Sequence, residues 1–89
     1  MSRTTGDFWV CYKGLPKATQ RLARNAYAQF LQDPFHHSLH FKSLHQQRPI
    51  WSVRIGLYYR AVGIKPRADE IVWYWIGSHA EYDKLINSL

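Results

Sequence analysis

Arg54 and Arg60 lie in a segment, Trp51 to Ile64, that reads as a β-hairpin. Trp51, Val53 and Ile55 alternate with Ser52 and Arg54, the period-two pattern of a strand with one buried face. Gly56-Leu57 is placed to reverse the chain as a two-residue type II′ turn. The return strand alternates Tyr58, Arg60 and Val62 against Tyr59, Ala61 and Gly63, so both arginines are expected on the face turned from the core. A guanidinium is a planar fork of donors that stays charged near neutrality, and two on a rigid sheet grip a phosphate. His79 follows the next apolar run. Histidine's reference pKa of about 6.5 lets an imidazole give or take a proton. With Lys42, these residues form a set suited to cleaving RNA by attack of its own 2′-OH. That reaction needs a base for the hydroxyl proton, cations for the phosphorane and an acid for the leaving 5′-oxygen. A positioned proton donor contributes roughly 10²–10⁴ in rate. The bland counterparts are a basic hairpin serving only solubility and a histidine acting as a polar group at a helix start.

Other chemistries have weaker support. His36, His37 and His40 are close together, but of the acidic residues only Asp33 is near and no cysteine joins them. Structural zinc needs four ligands at defined spacing, so no metal is expected. Cys11 has no evident base and sits in an apolar run; as the only cysteine it permits no internal disulfide and fits a reducing compartment. Neither a Gly-x-Ser-x-Gly turn nor a glycine-rich phosphate loop occurs, and no cofactor is implied. No signal peptide or spanning segment is read, since the longest apolar run, 71–76, is too short for either; a cytoplasmic location is expected.

Charge placement points the same way. The chain of 89 residues carries a net +6, and no acidic residue lies between Pro34 and Ala68. Lys42, Arg48, Arg54, Arg60, Lys65 and Arg67 fall in that stretch, with His36, His37, His40 and His45. A single-signed half of a small domain is the footprint of a polyanion site, whereas solubility charge intermixes both signs. A chain this short buries only roughly 60–65% of its unfolded surface. Its fourteen aromatics, four of them tryptophan, are therefore assigned mainly to the core.

These residues need a scaffold. Residues 1–6 are polar and read as a flexible lead-in to one domain over 7–89. Phe8 to Tyr12 is expected as a first strand. Leu15-Pro-Lys opens a helix whose apolar stripe is Leu22, Ala23, Ala26, Tyr27 and Phe30, and which Asp33-Pro34 ends. Leu39 to Leu44 is expected as a second strand, before the hairpin. Ile71 to Ile76 reads as a strand covered on both faces, and Ser78 as the N-cap of a closing helix from His79. The order β-α-β-β-β-β-α gives an α+β domain with a mostly antiparallel sheet, an N-terminal helix packed on it and a short C-terminal helix.

Phe41-Lys-Ser-Leu44, Ser52-Val-Arg-Ile-Gly-Leu-Tyr-Tyr-Arg60 and Trp75-Ile-Gly-Ser-His79 with Tyr82 together resemble the RelE/ParE superfamily of bacterial toxin–antitoxin toxins, over about residues 8–87. The resemblance implies a RelE-like fold and, for RelE-like members, a ribosome-dependent mRNA endonuclease silenced by a cognate antitoxin. It implies that Arg60 holds the scissile phosphate, that Arg54 acts on the same phosphate, and that His79 stands where the family places its acid. Tyr82 resembles the aromatic that follows. Ser52 stands where RelE carries a lysine and no carboxylate precedes Phe41, which leaves Lys42, His40 and Tyr82 as candidates for the base. The alternatives are a ParE-like inhibitor that binds DNA gyrase without nuclease chemistry, and a catalytically silent binding module on the same fold.

Overall fold

The computed structural model describes residues 2–89 as a five-stranded sheet with helices on both faces. In chain order the elements are β1 (Ser2–Thr4), α1 (Gly6–Lys13), α2 (Lys17–Gln32), a 3₁₀ turn (His37–Leu39), β2 (Lys42–Ser43), β3 (Ile50–Ile55), β4 (Tyr59–Arg67), β5 (Glu70–Ser78) and α3 (His79–Asn87). The strand order is β1-β5-β4-β3-β2, with β1 parallel to β5 and every other pair antiparallel. The mostly antiparallel α+β architecture is the one expected from the sequence.

Its beginning is not. Met1 lies outside the described residues, but Ser2–Thr4, read as flexible, forms an edge strand against Ile71–Trp73. Arg3 fixes it further through an ion pair with Glu70 at 2.6 Å. Phe8 to Tyr12, expected as a strand, is helical. Thr5 caps the helix by accepting from the Phe8 N–H, Asp7 lies in the first turn, and Gly14 closes the end. The rings of Phe8 and Tyr12, one turn apart, stack at 6.3 Å and pack on the core beside β5. Local aromatic content favours a strand, but capping at both ends and the helical spacing of those rings outweigh it.

The second helix follows the sequence more closely. Pro16 precedes it and Asp33 ends it. Its buried stripe runs through Thr19, Ala23 and Phe30, while Leu22 and Tyr27 flank the contact and remain exposed. Only Lys42–Ser43 of the expected strand 39–44 is extended, because His37–Leu39 coils into a 3₁₀ turn and His40 takes a left-handed backbone with φ 46°.

Two cores separate the sheet faces. One lies under α1 and α2, around Phe30, Val53, Ile55, Ala61, Trp73 and Ile76; the other, smaller, joins Ile50 and Val62 to Tyr82 of α3. A bulge in β5 serves both. Val62 pairs with Trp75 and Gly63 with Trp73, so Tyr74 is the extra residue. Trp73 and Ile76 can then face the α1–α2 side while Tyr74 and Trp75 face α3. Gly63 is required there, because a Cβ would lie 2.7 Å from the Val72 carbonyl oxygen and 2.9 Å from the Trp73 ring.

Candidate functional site

The α3 side of the sheet is covered at one end and open at the other. At the covered end, Ser52 and Val62 oppose each other on β3 and β4 and are fully buried beneath Tyr82. The Tyr82 hydroxyl and Ser52 Oγ are hydrogen-bonded at 3.1 Å, which pins α3 to the sheet. Ser78 and Glu81 start α3 with reciprocal bonds to each other's backbone N–H, the capping box. The His79 N–H then donates to the Tyr58 carbonyl at 2.7 Å, tying the helix start to the hairpin turn.

That turn is one residue longer than expected. Gly56, with φ 61°, Leu57 and Tyr58 form it, and Ile55 pairs with Tyr59. Arg54 and Arg60 consequently stand directly opposite each other, one pair beyond Val53–Ala61 and two beyond Ser52–Val62. Side chains alternate faces along a strand, so both arginines leave the sheet on the Ser52–Val62 side. Arg60 also faces Gly77 of β5, whose missing side-chain space the Trp75 indole fills, a Cβ there lying only 2.6 Å from that ring.

Each guanidinium is held. Arg54 Nε–H donates to the Gly56 carbonyl at 3.0 Å, and its Nη1 lies 3.4 Å from His40 Nε2. Arg60 Nη1 donates to the Tyr59 carbonyl at 2.7 Å, and its guanidinium carbon is 6.0 Å from the centroid of the Tyr82 ring. The pKa of Arg60 is lowered from its ordinary value, first by burial and then by Arg54, while Tyr82 and Asp83 oppose the shift. An arginine so shifted remains a cation at neutrality. The pair therefore concentrates positive charge.

His79 also lies beside Tyr82. Its ring is 6.0 Å from the Tyr82 centroid, and its side chain is 48% exposed. Nδ1 lies 3.2 Å from Asp83 Oδ2, one helical turn on, so the carboxylate favours a proton at Nδ1 and leaves Nε2 as the outward nitrogen. Lys42 pairs with Ser52 across β2–β3 and is exposed at the sheet edge.

Of the five residues singled out by sequence, Arg54, Arg60, His79 and Tyr82 thus share one neighbourhood, and Lys42 borders it. Tyr82 is buried with its hydroxyl engaged by Ser52, a geometry that suits an anchor for α3 and a ring beside Arg60. Asp83 was not singled out, although its spacing of four from His79 on a helix is a readable signal. In the sequence Ser52 is a strand position and a departure from the family's lysine; nothing local shows that it meets Tyr82. Among the described residues, no group of three or more His, Cys, Asp or Glu side chains is placed to hold a metal ion, and no helix is long and apolar enough to cross a membrane.

No curated protein matches the chain in sequence. Among solved structures, a chain of the RelB-RelE antitoxin-toxin complex from Methanococcus jannaschii is similar at TM-score 0.71 and 12% identity, over 92% of this chain and 95% of that one. A copper-bound mutant toxin from Helicobacter pylori is similar at TM-score 0.60 and 16% identity, over 90% of this chain and 94% of that one. At such identities the likeness is one of fold, the RelE-like arrangement of helices on a five-stranded sheet. The family model for the ParE-like toxin domain matches residues 17–84, from the start of α2 into α3, and the chain belongs to that family of the RelE/ParE toxin superfamily.

Proposed function

We propose that this protein is the toxin of a toxin–antitoxin pair and that it cuts mRNA, on the ribosome, by attack of the 2′-OH on the adjacent phosphate. The observation that carries the reading is the direct opposition of Arg54 and Arg60 on an open sheet face. Like charges placed across a strand pair repel, and an anion between them removes that penalty. A phosphodiester has the charge and the acceptor geometry for two guanidinium forks. In this reading the pair binds the non-bridging oxygens and stabilises the charge that builds on the phosphorane. His79, oriented through Nδ1 by Asp83 and acting in its protonated form, gives its outward Nε2 proton to the departing 5′-oxygen. Lys42, at the sheet edge opposite Ser52, and His40, beside Arg54, are the candidates for the group that takes the 2′-OH proton. No step requires a metal or cofactor. The partner that silences the protein is a short acidic or amphipathic antitoxin covering the hairpin face, a reading supported by the antitoxin-bound relative and by the net charge of +6. The site of action is cytoplasmic.

The ParE-like description of the matching family leads to a second reading, the one the resemblance to ParE implies: inhibition of DNA gyrase by binding alone. One pair of experiments separates the two: induced expression followed by 5′-end mapping of cellular mRNAs, and a supercoiling assay with purified gyrase. New ends within translated codons support the nuclease. Blocked supercoiling with intact mRNAs selects the gyrase inhibitor.

A further inference from the structure

A second cleft opens at the far side of Arg54. It has a volume of about 520 Å³ and lies between α2, the 3₁₀ turn with His40, and the hairpin turn. That volume is within the roughly 300–1,000 Å³ of sites that bind small ligands. Its α2 wall is formed by Leu22, Asn25 and Gln29, which recur at helical spacing and so present one stripe; Leu57 faces them from the hairpin turn. Arg54 and His40, in contact at 3.4 Å, form the rim toward the phosphate clamp. None of the lining residues is acidic.

We propose that this cleft is a base-reading subsite, which takes the nucleobase of a single-stranded RNA nucleotide next to the phosphate held by Arg54 and Arg60. The inference rests on the nuclease reading for its phosphate, but not for its cleft. Three observations carry it. The cleft and the clamp share Arg54, so a chain whose phosphate sits on that guanidinium has its neighbouring base within reach. The side-chain amides of Asn25 and Gln29 offer donor and acceptor together, the arrangement that pairs with a base edge. Leu22 and Leu57, 46% and 63% exposed, give apolar surface against which the face of a ring can pack. A cationic ligand is disfavoured by Arg54 and by the lack of any carboxylate in the lining. An acidic peptide would satisfy Arg54 but has no use for the amide pair.

The test is a double variant, Asn25→Ala with Gln29→Ala, compared with the wild type. Both positions are on the accessible side of α2, and alanine favours helix, so the fold is retained and thermal melting verifies it. The probes are fluorescently labelled hexaribonucleotides of A, C, G and U, measured by anisotropy at one fixed salt concentration. The wild type is expected to prefer one base by at least about fivefold, and the double variant to lose that preference by roughly 5- to 150-fold, the range of one good amide–base contact. Equal affinity of the wild type for all four hexamers overturns the subsite. So does an unchanged ranking in the double variant. Cleavage is scored separately: a wild type that discriminates bases but leaves cellular mRNAs intact retains the subsite and removes the nuclease reading. Retained cleavage with an unaltered distribution of cut sites in the double variant removes the subsite and keeps the nuclease. A double variant that loses antitoxin binding while its hexamer affinities stay unchanged assigns the cleft to the protein partner instead.

Discussion

Arg54 and Arg60 are direct register partners in the antiparallel β3–β4 pair, and the three-residue turn Gly56–Tyr58 is what makes them so. The two-residue turn expected at Gly56-Leu57 would instead pair Arg54 with Tyr59 and send the two guanidiniums to opposite faces, since a one-residue slip reverses every side chain; the arginines share a face, as expected, only because the turn is longer than expected. The extra residue is Tyr58, whose carbonyl also receives the His79 N–H. The loop that aligns the clamp is therefore the loop that docks the candidate acid.

A clamp formed from two like charges binds anions at little structural cost. Inorganic phosphate is expected to raise the melting temperature of the wild type, by an amount that corresponds to about 1.4 kcal/mol at tenfold excess over its Kd. Arg54→Ala and Arg60→Ala should each abolish most of that shift while changing the stability of the phosphate-free protein far less. Each should also weaken RNA binding by about 10- to 100-fold, the range for hydrogen bonds to a charged group. The slope of log affinity against log salt should fall by about 0.7 for each lost phosphate contact. A phosphate shift that survives both substitutions would place the anion elsewhere.

His79→Ala should reduce cleavage by roughly 10²–10⁴ and leave RNA affinity within a few-fold, because a proton donor acts in the transition state and contributes little to ground-state binding. Asp83→Asn can keep the hydrogen bond that orients the ring at Nδ1, so a smaller loss is expected. Cleavage rates on a model RNA, measured beside RNA affinity, read both effects. An unaltered rate in His79→Ala removes the imidazole from the mechanism.

What was legible in the sequence, and what was not, divides by range. The hairpin, the stop at Asp33-Pro34 and the Ser78 cap before His79 are encoded by neighbouring residues and were readable. The α1 segment was not, because Phe8-Trp-Val-Cys-Tyr12 carries strand propensity and its helix depends on caps at Thr5 and Gly14 together with packing against β5. The edge strand Ser2–Thr4 was hidden for the same reason: a polar tripeptide becomes a strand only where a partner, here Ile71–Trp73, is already in place. At the site, residue types pointed to Arg54, Arg60 and His79, but the burial of Tyr82 on Ser52 joins positions thirty residues apart and has no local signature. The Arg54 cleft is likewise formed by three separate segments.

The Ser52–Tyr82 bond gives a stability prediction independent of function. Tyr82→Phe keeps the ring beside Arg60 but leaves the buried Ser52 hydroxyl without its partner, at a cost of about 1–3 kcal/mol. Ser52→Ala should cost a similar amount by stranding the Tyr82 hydroxyl. In the double variant both polar groups are gone, and the loss should be smaller than the sum of the single losses, with a coupling of about 0.5–3 kcal/mol. Urea unfolding of the four proteins measures it. Strict additivity would show that the two hydroxyls do not meet.

Gly63 makes the strongest structural demand. The β5 bulge at Tyr74 brings the Val72 carbonyl and the Trp73 ring within 3 Å of the space a Cβ would occupy, and the first of these is backbone that cannot rotate away. Gly63→Ala must therefore push β4 and β5 apart where they pair, with a cost of about 1–3 kcal/mol or more for overpacking a filled site. Because Arg60 lies three residues earlier on the same strand and His79 follows β5, the displacement should reach the clamp. RNA affinity is then expected to fall along with the melting temperature, although Gly63 itself is buried within the sheet. Gly6→Ala is the control: beyond its chain neighbours and its own helix backbone nothing lies within 4 Å of the added Cβ, so neither quantity should fall. A Gly63→Ala protein that melts like the wild type would mean that the β4–β5 pair relaxes around the methyl group, and that the bulge does not hold the two halves of the site in register.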